Sequence, residues 1–191
     1  MTATQPTPSF HGTFPHRWHA EILPSRPLIL PIRHFVYPRE AEEVERGALE
    51  VLLQPGENGE PFLATCALGF RDPAVPTGLW STPNPDEICA VSGGYAYVID
   101  TTNPSLFSMI PFRPVVEIRA VATDNLLLFV GHHSILAWGA DGQAWKSEKL
   151  SDEGVTITAI GATTLHGQGW SMIANKETPF TLDLKSGKRT A

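Results

Sequence analysis

One short phrase occurs three times in this chain. It reads Ile-x-Ala followed by Val or Ile, at Ile88–Val91, Ile118–Val121 and Ile157–Ile160. Each copy is followed by a second extended run: Tyr95–Ile99, Leu126–Val130 and Thr163–His166. β-Branched residues at this density belong in strands. A phrase that returns after 30 and then 39 residues marks a supersecondary unit used more than once.

The second copy opens the clearest unit. Val115–Val121, Leu126–Gly131, Ser134–Gly139 and Gln143–Lys146 read as four strands joined by short turns. Asp141-Gly142 is a strong turn signal, because a type I′ turn needs positive φ at both central positions. Taken as a two-residue loop, it makes Trp138 the cross-strand neighbour of Trp145. Along the two central strands, Leu127, Phe129, Leu136 and Trp138 fall on one face, and Leu128, Val130, Ile135 and Ala137 on the other. A sheet with one wet face would alternate apolar with polar. Two apolar faces require a layer on each side.

The units run over about 86–111, 115–148 and 155–188. The last ends in Phe180-Thr181-Leu182-Asp183-Leu184-Lys185-Ser186-Gly187-Lys188, an alternating strand closed by Asp-x-x-x-Gly-Lys. This phrase resembles the third strand of the blades in quinoprotein-type β-propeller repeats. Gly139-Ala140-Asp141-Gly142 after Leu136-Ala137-Trp138 resembles it more loosely. The resemblance spans residues 86–188, about half the chain, and implies propeller-like layering. It departs from the family in number, since three units and an N-terminal hairpin fall short of the four blades that close small propellers. No motif matches the family's cofactor residues, and none is carried over.

Upstream, residues 1–38 hold seven of the 17 prolines. Proline removes a donor and fixes φ, so residues 1–27 read as an extended arm. Residues 28–191 read as a single β-rich domain. Leu28–Tyr37 is apolar enough for an edge strand, where proline is tolerated. The acidic stretch 39–46 predicts two turns of helix stopped by Gly47. Ala48–Leu53 and Phe62–Phe70 predict a hairpin across a turn-rich linker. Residues 71–87, with four prolines, predict a long loop. The fold class is all-β: an antiparallel meander of three- to four-strand units, propeller-like or sandwich-like, with a proline-rich N-terminal arm.

Composition narrows the function classes. The net charge is −6 and no basic stripe exists, so phosphate neutralisation has little to work with and no nucleic-acid partner is expected. No apolar run approaches 18 residues, so no spanning helix and no membrane partner are expected. Cys66 and Cys89 sit in strand-like runs as buried thiols, and with no export pattern the expected compartment is the cytoplasm. At 191 residues, roughly 70% of the unfolded surface is buried, enough for a core without metal or disulfide.

No nucleotide-cradling, zinc-binding or nucleophile-elbow motif is present. His16-x-x-His19 lacks acidic or Cys partners at ligand spacing, so no metal and no cofactor are expected. The candidate binding residues are those that differ between the repeats. Trp80, Asn84 and Asp86 lie in the proline-stiffened loop, where a rigid aromatic is ringed by hydrogen-bonding groups. His132 and His133 form a hairpin tip. His166 lies in a strand beside Gly167 and Gly169, and strand glycines mark bulges or close approaches. No catalytic constellation appears. The expected function is a non-catalytic interaction or scaffold module that binds a protein partner or itself. The alternative is a small β-rich enzyme or ligand-binding protein with a His/Trp-lined site.

Overall fold

The computed structural model describes residues 8–39 and 41–190, without the side chains of residues 41–43. Of residues 39–46, read as a helix, residue 40 and the side chains of residues 41–43 lie outside the described residues. The backbone forms a short 3-10 helix at Ala41–Arg46. The chain is all-β. It divides into two compact units, Met1–Pro114 and Val115–Ala191.

The first unit contains β1 (Ser9–His11), β2 (Trp18–Leu23), β3 (His34–Tyr37), β4 (Ala48–Pro55), β5 (Phe62–Ala67), β6 (Gly78–Ser81), β7 (Glu87–Ser92), β8 (Tyr95–Asp100) and β9 (Phe107–Met109). They form two sheets, ordered β2-β4-β5-β3 and β1-β6-β7-β8-β9. The expected hairpin is present, with β4 antiparallel to β5 from Ala48↔Ala67 to Leu53↔Phe62.

The residues read as an arm contribute two strands. Trp18, Ala20 and Ile22 alternate with His19, Glu21 and Leu23, and β2 pairs antiparallel with β4. β1 pairs parallel with β6, a strand inside the segment expected to be loop. Only the last four residues of Leu28–Tyr37 are strand. They form the edge of their sheet, parallel to β5.

Period-two alternation builds the core between these sheets. Leu49, Val51, Leu53, Phe62, Ala64 and Cys66 from one pack with Leu79, Ile88, Ala90, Tyr97 and Ile99 from the other. Tyr37 reaches across to donate its hydroxyl to the Pro104 carbonyl at 2.7 Å. Cys66 and Cys89 are free and fully buried. Burial pushes both thiols well above their ordinary range, and the thiolate is the reactive form. A thiol reagent should therefore label neither cysteine in the native protein and both on denaturation. Rapid labelling of the native state would contradict this packing.

The second unit contains β10 (Glu117–Val121), β11 (Leu126–Val130), β12 (Ile135–Gly139), β13 (Gly142–Lys146), β14 (Val155–Ile160), β15 (Thr164–Ser171) and β16 (Lys176–Asp183). β10–β13 form a four-stranded sheet in sequence order, and β14–β16 a three-stranded one. Every residue of β11, and of β12 up to Trp138, is buried, so both faces are covered as the pattern predicts.

The register of the β12–β13 hairpin differs from expectation. Gly139 pairs with Gly142, Trp138 with Gln143, and Ala137 with Trp145. The two loop residues are thus Ala140 and Asp141, and Gly142 takes the positive φ of 105°. A bulge then absorbs Ala144. Each one-residue slip turns a side chain to the other face, so Trp145 lies beside Ala137 and the Trp138–Trp145 pair does not form. Trp145 instead joins the core between the two sheets of this unit, with Leu128, Val130, Ile157, Leu165 and Leu182. The strand glycines of β15 mark close approaches. A Cβ on Gly167 would stand 2.3 Å from the Phe180 ring, and one on Gly169 would stand 2.4 Å from the Leu150 carbonyl.

Candidate functional site

The six residues singled out from the sequence divide between the units. Trp80, Asn84 and Asp86 belong to the first, and His132, His133 and His166 to the second.

Trp80 is a β6 residue, not a loop residue. It is nearly buried and stacks on His11 with ring centroids 4.7 Å apart. Asn84 Oδ1 accepts from the Asp86 amide at 3.1 Å, the local turn its short side chain favours. Asp86 is ion-paired to Arg17. Residues 14–18 are joined to this loop by three further bonds. The Phe14 amide donates to Ser81 Oγ at 2.8 Å, the Arg17 amide to the Pro85 carbonyl at 2.9 Å, and Trp18 Nε1 to the Glu87 carbonyl at 3.0 Å. His16 closes the join. It lies 4.4 Å from Trp18 and 5.3 Å from Phe10, ring to ring. The loop's groups thus hold the N-terminal segment in place.

In the second unit, the ring of His133 bonds to the Ser151 carbonyl at 3.1 Å. The His132 carbonyl accepts from the Gly154 amide, and that of His133 from the Leu150 amide. The tip thereby anchors the 150–154 connection. His166, read as a strand residue beside two glycines, is exposed on β15. Its ring bonds to Thr164 Oγ1 and Thr181 Oγ1, both at 3.1 Å. Among the described residues, no group of three or more His, Cys, Asp or Glu side chains converges as metal ligands would.

Sequence reading missed a buried polar relay in the first unit. Glu50 is 5% exposed and lies on the face of β4 turned away from the core. Its Oε1 accepts from Arg26 Nε at 2.8 Å, and its Oε2 from Thr65 Oγ1 at 2.6 Å. The Thr65 hydroxyl has one proton and gives it to Glu50, so His34 Nε2, 2.8 Å away, is the donor to Thr65. The relay ties the β2–β3 connection to the sheet at both its ends.

Between those ties stands the most exposed apolar segment of the described residues. Leu28, Ile29 and Ile32 are 105%, 88% and 104% exposed, and Leu30 is 45% exposed. At the far end, the Arg33 carbonyl accepts from the Leu63 amide, and its guanidinium donates to the Glu60 carbonyl. Pro27 and Pro31 stiffen the span. The signal was present in the sequence: four aliphatics in five positions, interrupted by proline, cannot alternate into a pleat.

Two clefts flank this region. One of about 530 Å³ is lined by Arg17, Arg33, Glu60 and Asp86. Its charges are matched by the Arg17–Asp86 and Arg33–Glu60 pairs. The other, of about 780 Å³, lies where β2 ends, β4 begins and β7 ends.

No helix among the described residues is long and apolar enough to cross a membrane. No protein-family model matches the chain, and no curated protein matches it. Among solved structures, the chain is similar to the N-terminal domain of Nup159, at 11% identity and a TM-score of 0.37. That match covers 97% of this chain and 54% of the other, so the chain spans about half the length of the structure it matches.

Proposed function

We propose that this chain is a protein-interaction module that docks through the Leu28–Ile32 segment into an apolar groove of a partner protein. The observation that carries the reading is the exposure of four aliphatic side chains in five residues. Burying each contributes about 1.5–3 kcal/mol, and single-chain folded proteins rarely leave a contiguous patch of this kind bare. The segment is also organised before binding. Its ends are fixed by Glu50 and Glu60, and its two prolines limit the conformations it must give up, which lowers the entropic cost of docking. The flanking Arg26 and Arg33 are already engaged within the chain, so binding should depend weakly on salt.

The triple variant Leu28→Ser, Ile29→Ser, Ile32→Ser should melt like the parent, because none of the three contributes to the core. A partner retained by the parent at high salt should be lost by the variant in quantitative affinity capture. Equal recovery by both proteins would contradict the proposal. So would a parent that light scattering shows to be a dimer and a variant that is a monomer, since the segment would then bind its own copy.

A further inference from the structure

The tip of the β4–β5 hairpin carries a sequence that can react with itself. Asn58-Gly59 lies between Pro55, which ends β4, and Phe62, which begins β5, and Asn58 is exposed. The turn around it is held at three points. The Gly56 amide donates to the Arg17 carbonyl at 2.5 Å, Gln54 Nε2 donates to the Glu57 carbonyl at 3.1 Å, and the Arg33 guanidinium donates to the Glu60 carbonyl. Between those points, neither the Asn58 carboxamide nor the Gly59 amide has a hydrogen-bond partner among the described residues.

Packing fixes glycine at the second position. A Cβ on residue 59 would stand 1.9 Å from the Pro55 carbonyl oxygen. The same missing Cβ leaves the Gly59 nitrogen open to the Asn58 carboxamide carbon, and the backbone free to rotate toward it. The chain's other four asparagines lack this arrangement. Asn84 and Asn103 precede prolines, whose nitrogens carry no proton to lose. Asn125 and Asn175 precede Leu126 and Lys176, whose side chains crowd the approach and which open strands β11 and β16.

We propose that Asn58 is a self-modification site, at which the folded chain converts the asparagine to isoaspartate and aspartate with water as the co-reactant. The Gly59 nitrogen loses its proton and bonds to Asn58 Cγ. The Cγ–Nδ2 bond breaks, and the side-chain nitrogen leaves as ammonia with that proton. Water then opens the cyclic imide at either carbonyl, restoring an N–H and releasing a carboxylic acid. Opening at the backbone carbonyl routes the main chain through Cγ, which is isoaspartate, and opening at Cγ gives aspartate. Either product puts a carboxylate where a neutral amide stood. It does so on the turn whose Gly59 and Glu60 line the 530 Å³ cleft with Arg17 and Arg33. The site thus delivers a slow, one-way charge change to that rim. It does not depend on the docking reading of Leu28–Ile32.

The test incubates the whole native chain at neutral pH in water labelled with heavy oxygen, then digests it in ordinary water for mass spectrometry. The peptide containing residue 58 should exchange its side-chain nitrogen for heavy oxygen progressively with time. The peptides containing the other four asparagines should not. Fragmentation should find both isomers at residue 58, and ion exchange should resolve a more acidic form in the same proportion. Asn58→Gln, whose extra methylene enlarges the ring that must close, should stay unconverted. An unchanged Asn58 in the native chain, with conversion only after unfolding in urea, would overturn the proposal, because the folded turn would then hold the two groups apart. Heavy oxygen entering all the asparagine sites alike would overturn it too, because the Asn58-Gly59 turn would have no reactivity of its own.

Discussion

Replacing Trp145 with alanine will cost about 3–5 kcal/mol of stability, measured by denaturant unfolding. Three contacts make this side chain expensive to remove. Its indole is buried in the core between the two sheets of the second unit. Its Nε1 donates to the Leu184 carbonyl at 2.7 Å, so truncation also leaves that carbonyl without its donor. Its ring lies under the turn after β16, where Gly187 at φ 66° comes so close that a Cβ would sit 2.3 Å from the ring. Trp145→Phe keeps most of the volume but not the donor, and should cost about 1–2 kcal/mol. A loss under about 1 kcal/mol for the alanine variant would mean that Trp145 does not hold the β13 and β16 hairpins to one core.

The second large effect is at Glu50. Glu50→Ala removes the acceptor for Thr65, which is fully buried, and the carboxylate paired with Arg26. Breaking a fully buried pair costs about 3–5 kcal/mol. Arg26 is 43% exposed and can rehydrate, so the expected loss is lower, about 2–3 kcal/mol. Glu50→Gln keeps a carbonyl facing Thr65 and should lose about 1 kcal/mol. Equal losses for the two variants would show that the carboxylate matters only by its charge, and that the Thr65 and His34 bonds add nothing.

Strands were legible where β-branched residues alternate between turn formers. The hairpin β4–β5, the four strands β10–β13 and the buried faces of β11 and β12 all follow from that pattern. The register of β12 against β13 did not, because a bulge at Ala144 has no residue signature: its energy depends on which indole fits the core. Proline density hid β1, β2 and β6. The period-two pattern of Trp18, Ala20 and Ile22 was present, but seven prolines in residues 1–38 outweighed it. The Leu28–Ile32 segment was misread for the opposite reason. Aliphatic residues usually signal burial, and Leu28–Ile32 looked like the start of a strand. The 780 Å³ cleft left no trace in the sequence, since its lining comes from seven separated stretches of chain.

The Leu28–Ile32 segment as a docking element is tested most directly by a photo-activatable side chain at position 29, compared with one at position 158. Thr158 is an exposed residue of β14 in the other unit. Irradiation in native extract should join the probe at position 29 to a discrete partner protein. The probe at position 158 should give only background. Indistinguishable adducts from the two positions, or a sole adduct with a second copy of this chain, would contradict the account.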